Sequence, residues 1–412
     1  MSDREASRAL GSMLVALLAA EAGVRLLAPP QEASEASRAP LGSYFTAEEI
    51  ERGARFSRGQ RAIGLARSAL QVGALAQIVR RPPRVLSGWR SRPVAGGAVV
   101  GSALTVALSA APLPLAALAR RHARGVGLIT QSWSGWGADL LKAAGIEAVL
   151  AAAGGSAMVA ATRRYPRAWW APAGAGSVVV GALLAALAPV VLDPLFNDFT
   201  PLPDGETRSD VLELAHRAGV EVGEVYCVDA SRRTTAANAY VSGLGPTKRV
   251  VLFDTLLDRY SRDEVRVVVA HELAHVRFRD VPRGVLYAAM VAPAGALATQ
   301  RLSWTMSSER GTPGTLPALA LSGVLVSVPL TLLANRLSRA LECRADAYSL
   351  DLSGAPDAFV SFERAIALQN VADLDPPRWV SSLLATHPSA GARIGAALAF
   401  KARSASTASG PS

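Results

Sequence analysis

Charge is scarce in this chain. Asp, Glu, Lys and Arg make up 18% of 412 residues, whereas hydrophobic residues make up 50%. Lysine is nearly missing, confined to Lys142, Lys248 and Lys401, so the net charge of +10 is carried by arginine. Two cysteines, Cys227 and Cys343, exclude a disulfide framework. No basic stripe interleaved with aromatics is visible, so no nucleic-acid partner is expected. The arginines flank apolar runs, where attraction to anionic lipid headgroups accounts for them. Also missing are a Gly-rich phosphate loop, a nucleophile elbow and any long internal repeat. Low charge with positive mean hydropathy points to a membrane protein.

Histidine is rare too, with five in the chain, yet two stand four residues apart in His271-Glu272-Leu273-Ala274-His275. On a helix this spacing puts both imidazoles on one face, where they can share a Zn²⁺. Glu272 stands beside them to take a proton from an activated water. The helix is supported by a capping-box start, Ser261 to Glu264, and by an apolar stripe of Val265, Val268, Val269 and Leu273. Two core histidines on a buried helix are the bland alternative.

A catalytic zinc needs a third protein ligand. His122, His216 and His387 stand in no ligand pattern. Downstream, Glu342 and Asp346 lie one turn apart on a segment that reads as helix over 334–350. That geometry suits a ligand carboxylate, Glu342, and a carboxylate orienting an imidazole, Asp346. It equally suits a solvated acidic face interleaved with Arg339 and Arg344. Cys343 follows Glu342 and points about 100° away along a helix, so it is read as structural rather than a ligand.

His-Glu-Leu-Ala-His followed by Glu-x-x-x-Asp, between hydrophobic spans, resembles the CAAX prenyl protease 1 family of membrane zinc endopeptidases. Other segments are similar to that family in the same order. They are Pro194 to Leu202, Asn238-Ala239-Tyr240-Val241-Ser242-Gly243-Leu244, Lys248 to Leu256, Thr386-His387-Pro388 with Arg393 after it, and Tyr44 to Glu49. The likeness covers roughly residues 44–397. It implies a zinc ion held by His271, His275 and Glu342, with Glu272 as general base and Asp346 orienting a ligand. It also brings His387 to the site to face the oxyanion, with Arg393 as a further substrate-side candidate. Asn238, before an edge strand, either binds the substrate backbone or caps a turn.

Four apolar runs are long enough for a bilayer: 94–119, 143–162, 168–192 and 315–334. Three are weaker: 9–27, with Glu21 and Arg25 placed to pair, 62–79, and the short 284–299. Seven spans match the resembling family. A secretory signal is the other reading of the first run, but no small-x-small site precedes a soluble domain, so a retained helix is expected. Arginines in the loop at 80–93 (Arg90 among them), in the first loop and at 120–124 tip the topology. They put the N-terminus outside, and the zinc domain and C-terminus inside, a cell membrane.

The expected fold is thus mainly α: about seven transmembrane helices with an inserted small α+β, gluzincin-like zinc-peptidase domain. Residues 1–193 form the first membrane part, 194–282 the peptidase domain, and 283–335 spans six and seven. Residues 336–401 return to the catalytic domain, and 402–412 form a disordered tail. Within 194–282 the pattern predicts a helix at 204–218, a strand at 223–229, and strands at 238–242 and 249–253 paired across a Gly/Pro turn. The expected activity is hydrolysis of a peptide or protein, lipid-modified if the resemblance extends to substrate. The alternatives are quality-control cleavage of the heat-shock membrane protease type and an inactive scaffold.

Overall fold

The computed structural model describes residues 3–30, 38–86, 88, 89, 91–243 and 248–408. Arg90, residues 244–247 of the expected turn and residues 409–412 of the expected tail lie outside these. The chain is mainly α, and among the described residues seven helices are long and apolar enough to cross a bilayer. They are α1 (Asp3–Leu27), α2 (Ala47–Arg80), α3 (Pro93–Ala110), α5 (Trp133–Arg164), α6 (Trp170–Val191), α10 (Asp280–Met306) and α11 (Leu316–Ser353). Their outward faces carry large apolar side chains, such as Leu10, Leu14, Leu183 and Val191. A helix that can leave these in contact with lipid needs no further protein cover.

Close backbone approach, rather than large side chains, joins the spans. A Cβ on Gly97 would stand 2.7 Å from the Gly155 carbonyl oxygen, and one on Gly155 would stand 2.2 Å from that of Gly97. Helices α3 and α5 therefore touch through glycine, the device that suits packing where lipid is as apolar as the core. In the first span Glu21 meets Arg25 at 2.6 Å and also Arg336 of α11, so the charges expected to pair do so. Helix α1 packs through Ala16 and Ala20, both fully buried, and Ala16 meets Ala298 and Val326.

Three boundaries differ from expectation. The run at 94–119 is not one helix, because α3 stops at Ala110 and α4 (Leu113–Gly125) restarts with Pro112 and Pro114 at its head. The short run at 284–299 is the middle of the 27-residue α10. The division expected at 335/336 falls inside α11, a single 38-residue helix about 57 Å long. Its first half is apolar and its second half carries Glu342 and Asp346. Residues 402–408 continue α13 (Ala390–Ala408) rather than forming a loose tail.

Between α6 and α10 lies the α+β domain. Strands β1 (Phe199–Pro201), β2 (Glu224–Val228), β3 (Ala239–Ser242) and β4 (Arg249–Phe253) form one sheet in the order β1-β2-β4-β3. β1 and β3 run antiparallel to their neighbours, and β2 pairs parallel with β4. Helices α7 (Glu206–Arg217), α8 (Asp254–Arg259) and α9 (Arg262–Arg277) complete it. The valines of α9 pack with Val225, Val250, Leu252 and Leu256 in one core. Leu352 of α11 and Phe362 of α12 (Pro356–Gln369) join that core, so the sequence-distant C-terminal part packs on the same domain. The first loop reaches over as well, with Phe45 buried against Leu374 and Ile394.

Candidate metal centre

Helix α9 begins where the sequence indicates. Ser261 accepts from the Glu264 N–H and Glu264 accepts from the Ser261 N–H, a complete capping box. Its buried face turns Val265, Val268, Val269 and Leu273 to the sheet and leaves His271 and His275 facing α11. The two Nε2 atoms lie 3.2 Å apart. Glu342 reaches both: its Oε2 is 3.3 Å from His271 Nε2 and its Oε1 is 3.6 Å from His275 Nε2. The acidic-face alternative for Glu342 fails, because the residue is buried and turned to the imidazoles.

The outer ring nitrogens are committed elsewhere. His275 Nδ1 stands 2.9 Å from Asp280 Oδ2. His271 Nδ1 stands 2.9 Å from Asp346 Oδ1, approached obliquely. With a proton on each Nδ1, both Nε2 atoms point bare lone pairs at one spot beside a carboxylate. Glu342 Oε2 is buried and forms no hydrogen bond among the described residues. Such an arrangement is repulsive unless a cation sits in its midst. Two nitrogens tetrahedrally bound to one zinc at about 2.0–2.1 Å would lie about 3.3 Å apart, near the spacing seen. The donor set of His271, His275 and Glu342 therefore fits a metal ion.

Glu272 is turned to the same region and makes no hydrogen bond or ion pair among the described residues. Burial pushes its carboxyl above the ordinary carboxylate range, against the pull of the two histidines. His387 comes in from a different element, a segment after the π-helical turn Val380–Leu384. Its Nε2 is 3.4 Å from Glu342 Oε2, and its Nδ1 is 2.8 Å from Thr386 Oγ1. That turn is tied to α11. Asn335 Nδ2 donates to the Leu383 and Leu384 carbonyls at 2.8 and 3.3 Å, and Arg339 donates to those of Ser382 and Ala385. The helix carrying Glu342 thereby also sets the segment that leads to His387.

Asn238 is exposed at the head of β3, the outer strand of the sheet, with its carbonyl accepting from the Phe253 N–H at 3.1 Å. Arg393 differs from the expected substrate contact. Its guanidinium is turned inward to Asp346 and to Glu363, 2.8 Å away. Asp346 takes its Nε and Nη2 and Glu363 stands at Nη1, so the group is turned towards these carboxylates. Cys343 is exposed and outside the donor set, so it is neither a ligand nor a packed core thiol. His122 stacks on Phe56 at 5.0 Å, away from the centre.

Two residues of the centre carry no local pattern. Asp280 becomes the partner of His275 because Arg279 adopts a left-handed conformation, φ 56°, which folds the chain back between α9 and α10. Asp280 also meets Arg283 at 3.2 Å and Arg344. Its signal was faint, an acid five residues after the second histidine. Glu363 had none.

Residues 201–401 match the family model described as Peptidase family M48. The chain is similar to "Uncharacterized metalloprotease YhfN" of Bacillus subtilis, 34% identical over 241 residues, 56% of this chain and 57% of that protein. It is similar to CAAX prenyl protease 1 of Saccharomyces cerevisiae, 41% identical over 110 residues, 26% of this chain and 24% of that one. A rice CAAX prenyl protease 1 homolog is 29% identical over 222 residues, 52% of each chain. The chain thus spans about half the length, or less, of these curated relatives. In fold it is similar to Saccharomyces mikatae Ste24p, with a TM-score of 0.74 at 20% identity over 95% of this chain and 98% of that one.

Proposed function

We propose that this chain, whose residues 201–401 match the Peptidase family M48 model, is a multi-pass membrane protein acting as a zinc-dependent endopeptidase. The observation that carries the reading is the convergence of two imidazole lone pairs and one buried carboxylate on a single spot, with Glu272 beside it. His271, His275 and Glu342 would hold the zinc ion. When bound, it supplies Lewis acidity towards water and a peptide carbonyl. Glu272 takes the proton from the attacking water and passes it to the leaving amine. His387, with Nδ1 engaged by Thr386, presents Nε2 to the developing oxyanion. Asp346 holds His271. Asn238 and the free edge of β3 receive the substrate backbone as an added strand.

The substrate is a peptide or protein, and a lipid-modified C-terminus is the class we favour. Its support is an apolar cavity of about 540 Å³ between the spans, lined by small residues such as Gly101, Gly155, Gly295 and Gly323. Helix α11 lines that cavity from Leu316 to Leu330 and carries Glu342 twelve residues further on, about 18 Å along its axis. Unselective cleavage of membrane proteins is the second reading, supported by a bacterial relative named only as a metalloprotease. The catalytic domain is placed on the cytoplasmic side of the cell membrane by this proposal, following the arginine distribution of the loops.

The test is zinc content of the purified protein in detergent, with cleavage of a farnesylated peptide beside its unprenylated twin. One zinc per chain with lipid-dependent cleavage supports the first reading, and equal cleavage of both peptides supports the second. Glu272→Gln is expected to keep zinc and lower turnover by about 10²- to 10⁴-fold. A Gln variant with normal turnover would remove Glu272 from the role of base.

A further inference from the structure

We propose that Glu363 is a positioning residue of the metal centre: it fixes Arg393, which fixes Asp346, which orients His271. The inference rests on His271 being a metal ligand. Its observation is a single line of side chains crossing four helices, from α12 through α13 and α11 to α9. Glu363 Oε1 lies 2.8 Å from Arg393 Nη1, an ion pair approached off the N–H direction, since this oxygen accepts no hydrogen bond among the described residues. The opposite edge of that guanidinium takes Asp346 in two-point fashion, Nε to Oδ2 at 2.9 Å and Nη2 to Oδ1. Asp346 Oδ1 then lies 2.9 Å from His271 Nδ1.

Both carboxylates are buried, each 3% exposed. Two buried carboxylates around one guanidinium lose much hydration, and apolar side chains of similar volume often pack there at lower cost. Stability is thus a poor reason for the cluster, whereas direction is a good one. An arginine hydrogen-bonded to Asp346 along one edge and ion-paired to Glu363 at Nη1 cannot rotate without giving up a contact, and its planar fork holds the Asp346 carboxylate in one plane. With Glu363 removed, Nη1 loses its partner, the guanidinium gains freedom, and Asp346 gains a second orientation relative to His271.

The base of this line is itself held. Ser361, two residues before Glu363, donates to Glu264 Oε1 at 2.6 Å, at the capping box of α9. Arg364, the next residue, donates to the Tyr44 carbonyl at 2.7 Å. Helix α12 is therefore registered both to the histidine helix and to the first loop, which makes Glu363 a fixed point from which to aim Arg393.

The experiment measures zinc affinity by chelator competition, and melting of the zinc-free protein, on full-length protein in detergent carrying Glu363→Ala, Glu363→Gln or Glu363→Asp. Alanine is expected to weaken zinc binding about tenfold or more, the range seen when an outer support of a metal ligand is lost. Glutamine keeps an oxygen at the same reach and is expected to restore most of the affinity. Aspartate falls one methylene short and should lie between them. Wild-type affinity in Glu363→Ala, with only a lowered melting temperature, would overturn the proposal and make the cluster structural. Should the alanine variant not fold, wild-type affinity in a folded Glu363→Asp would do the same. A wild-type protein that takes up no zinc, and in which His271→Ala changes nothing, would instead remove the metal reading on which this one rests.

Discussion

The two histidines of the centre are four residues apart and face the same spot, but they are held in different ways. His271 leans on Asp346, which sits at the end of a buried line through Arg393 to Glu363 on three other helices. His275 leans on Asp280, only five residues away, placed there by one left-handed residue and ringed by Arg283 and Arg344. The first support is deep and assembled from distant sequence. The second is local, nearer the surface, and rests on a turn. Both imidazoles have a carboxylate behind them, as metal-ligating histidines generally do. What differs is how much of the fold must be in place before the carboxylate arrives.

That contrast can be broken or sharpened by substitution. The largest effect is expected from Glu342→Ala, which removes the carboxylate shared by both sides. Zinc content should fall to background in elemental analysis, and retained zinc would mean that the third ligand lies elsewhere. Next comes Asp346→Asn on the deep side. It leaves Arg393 buried with one charged partner fewer, so melting should report a loss of roughly 3–5 kcal/mol, alongside weaker zinc binding. A change in zinc affinity without loss of stability would show that the deep line is less rigid than its burial suggests.

Asp280→Asn is the matched change on the shallow side. Of its two arginines Arg283 is the more exposed, at 26%, and His275 itself is 25% exposed, so zinc affinity should drop by about tenfold with a smaller loss of stability than on the deep side. Equal destabilisation by Asp280→Asn and Asp346→Asn would erase the distinction between the two supports. The smallest effect is expected from Arg279→Gly. Glycine relieves a left-handed strain of about 1 kcal/mol but adds backbone freedom of similar size, so stability and zinc binding should stay near wild type. A clear loss would mean that the arginine side chain, rather than the turn, holds Asp280.

Legibility in the sequence followed the range of each interaction. The α9 helix, its capping box and its two-histidine face were readable because all their parts fall within seventeen residues of one period. The pair Glu342 and Asp346 was readable only as a spacing, with a solvated face equally allowed, until α9 was seen opposite. The seven spans were countable from apolar length, but their ends were not. A proline pair splits the run at 94–119, while α11 runs through a boundary where hydropathy falls, since helical hydrogen bonding does not depend on which side chains it carries. Arg393 was read as a substrate-side candidate, and its direction towards Asp346 and Glu363 was not legible, because that depends on residues from other helices.

By itself the sequence determined the periodic and covalent facts: which stretches are apolar enough for a bilayer, which helix bears two imidazoles on one face, and where that helix begins. These follow from side-chain spacing along a regular backbone, which needs no partner to be defined. Tertiary structure alone decided which carboxylate meets which ring nitrogen, that Arg393 faces inward, and that His387 comes within 3.4 Å of Glu342. Those outcomes depend on how helices from distant parts of the chain pack, and close packing admits few arrangements of buried charge.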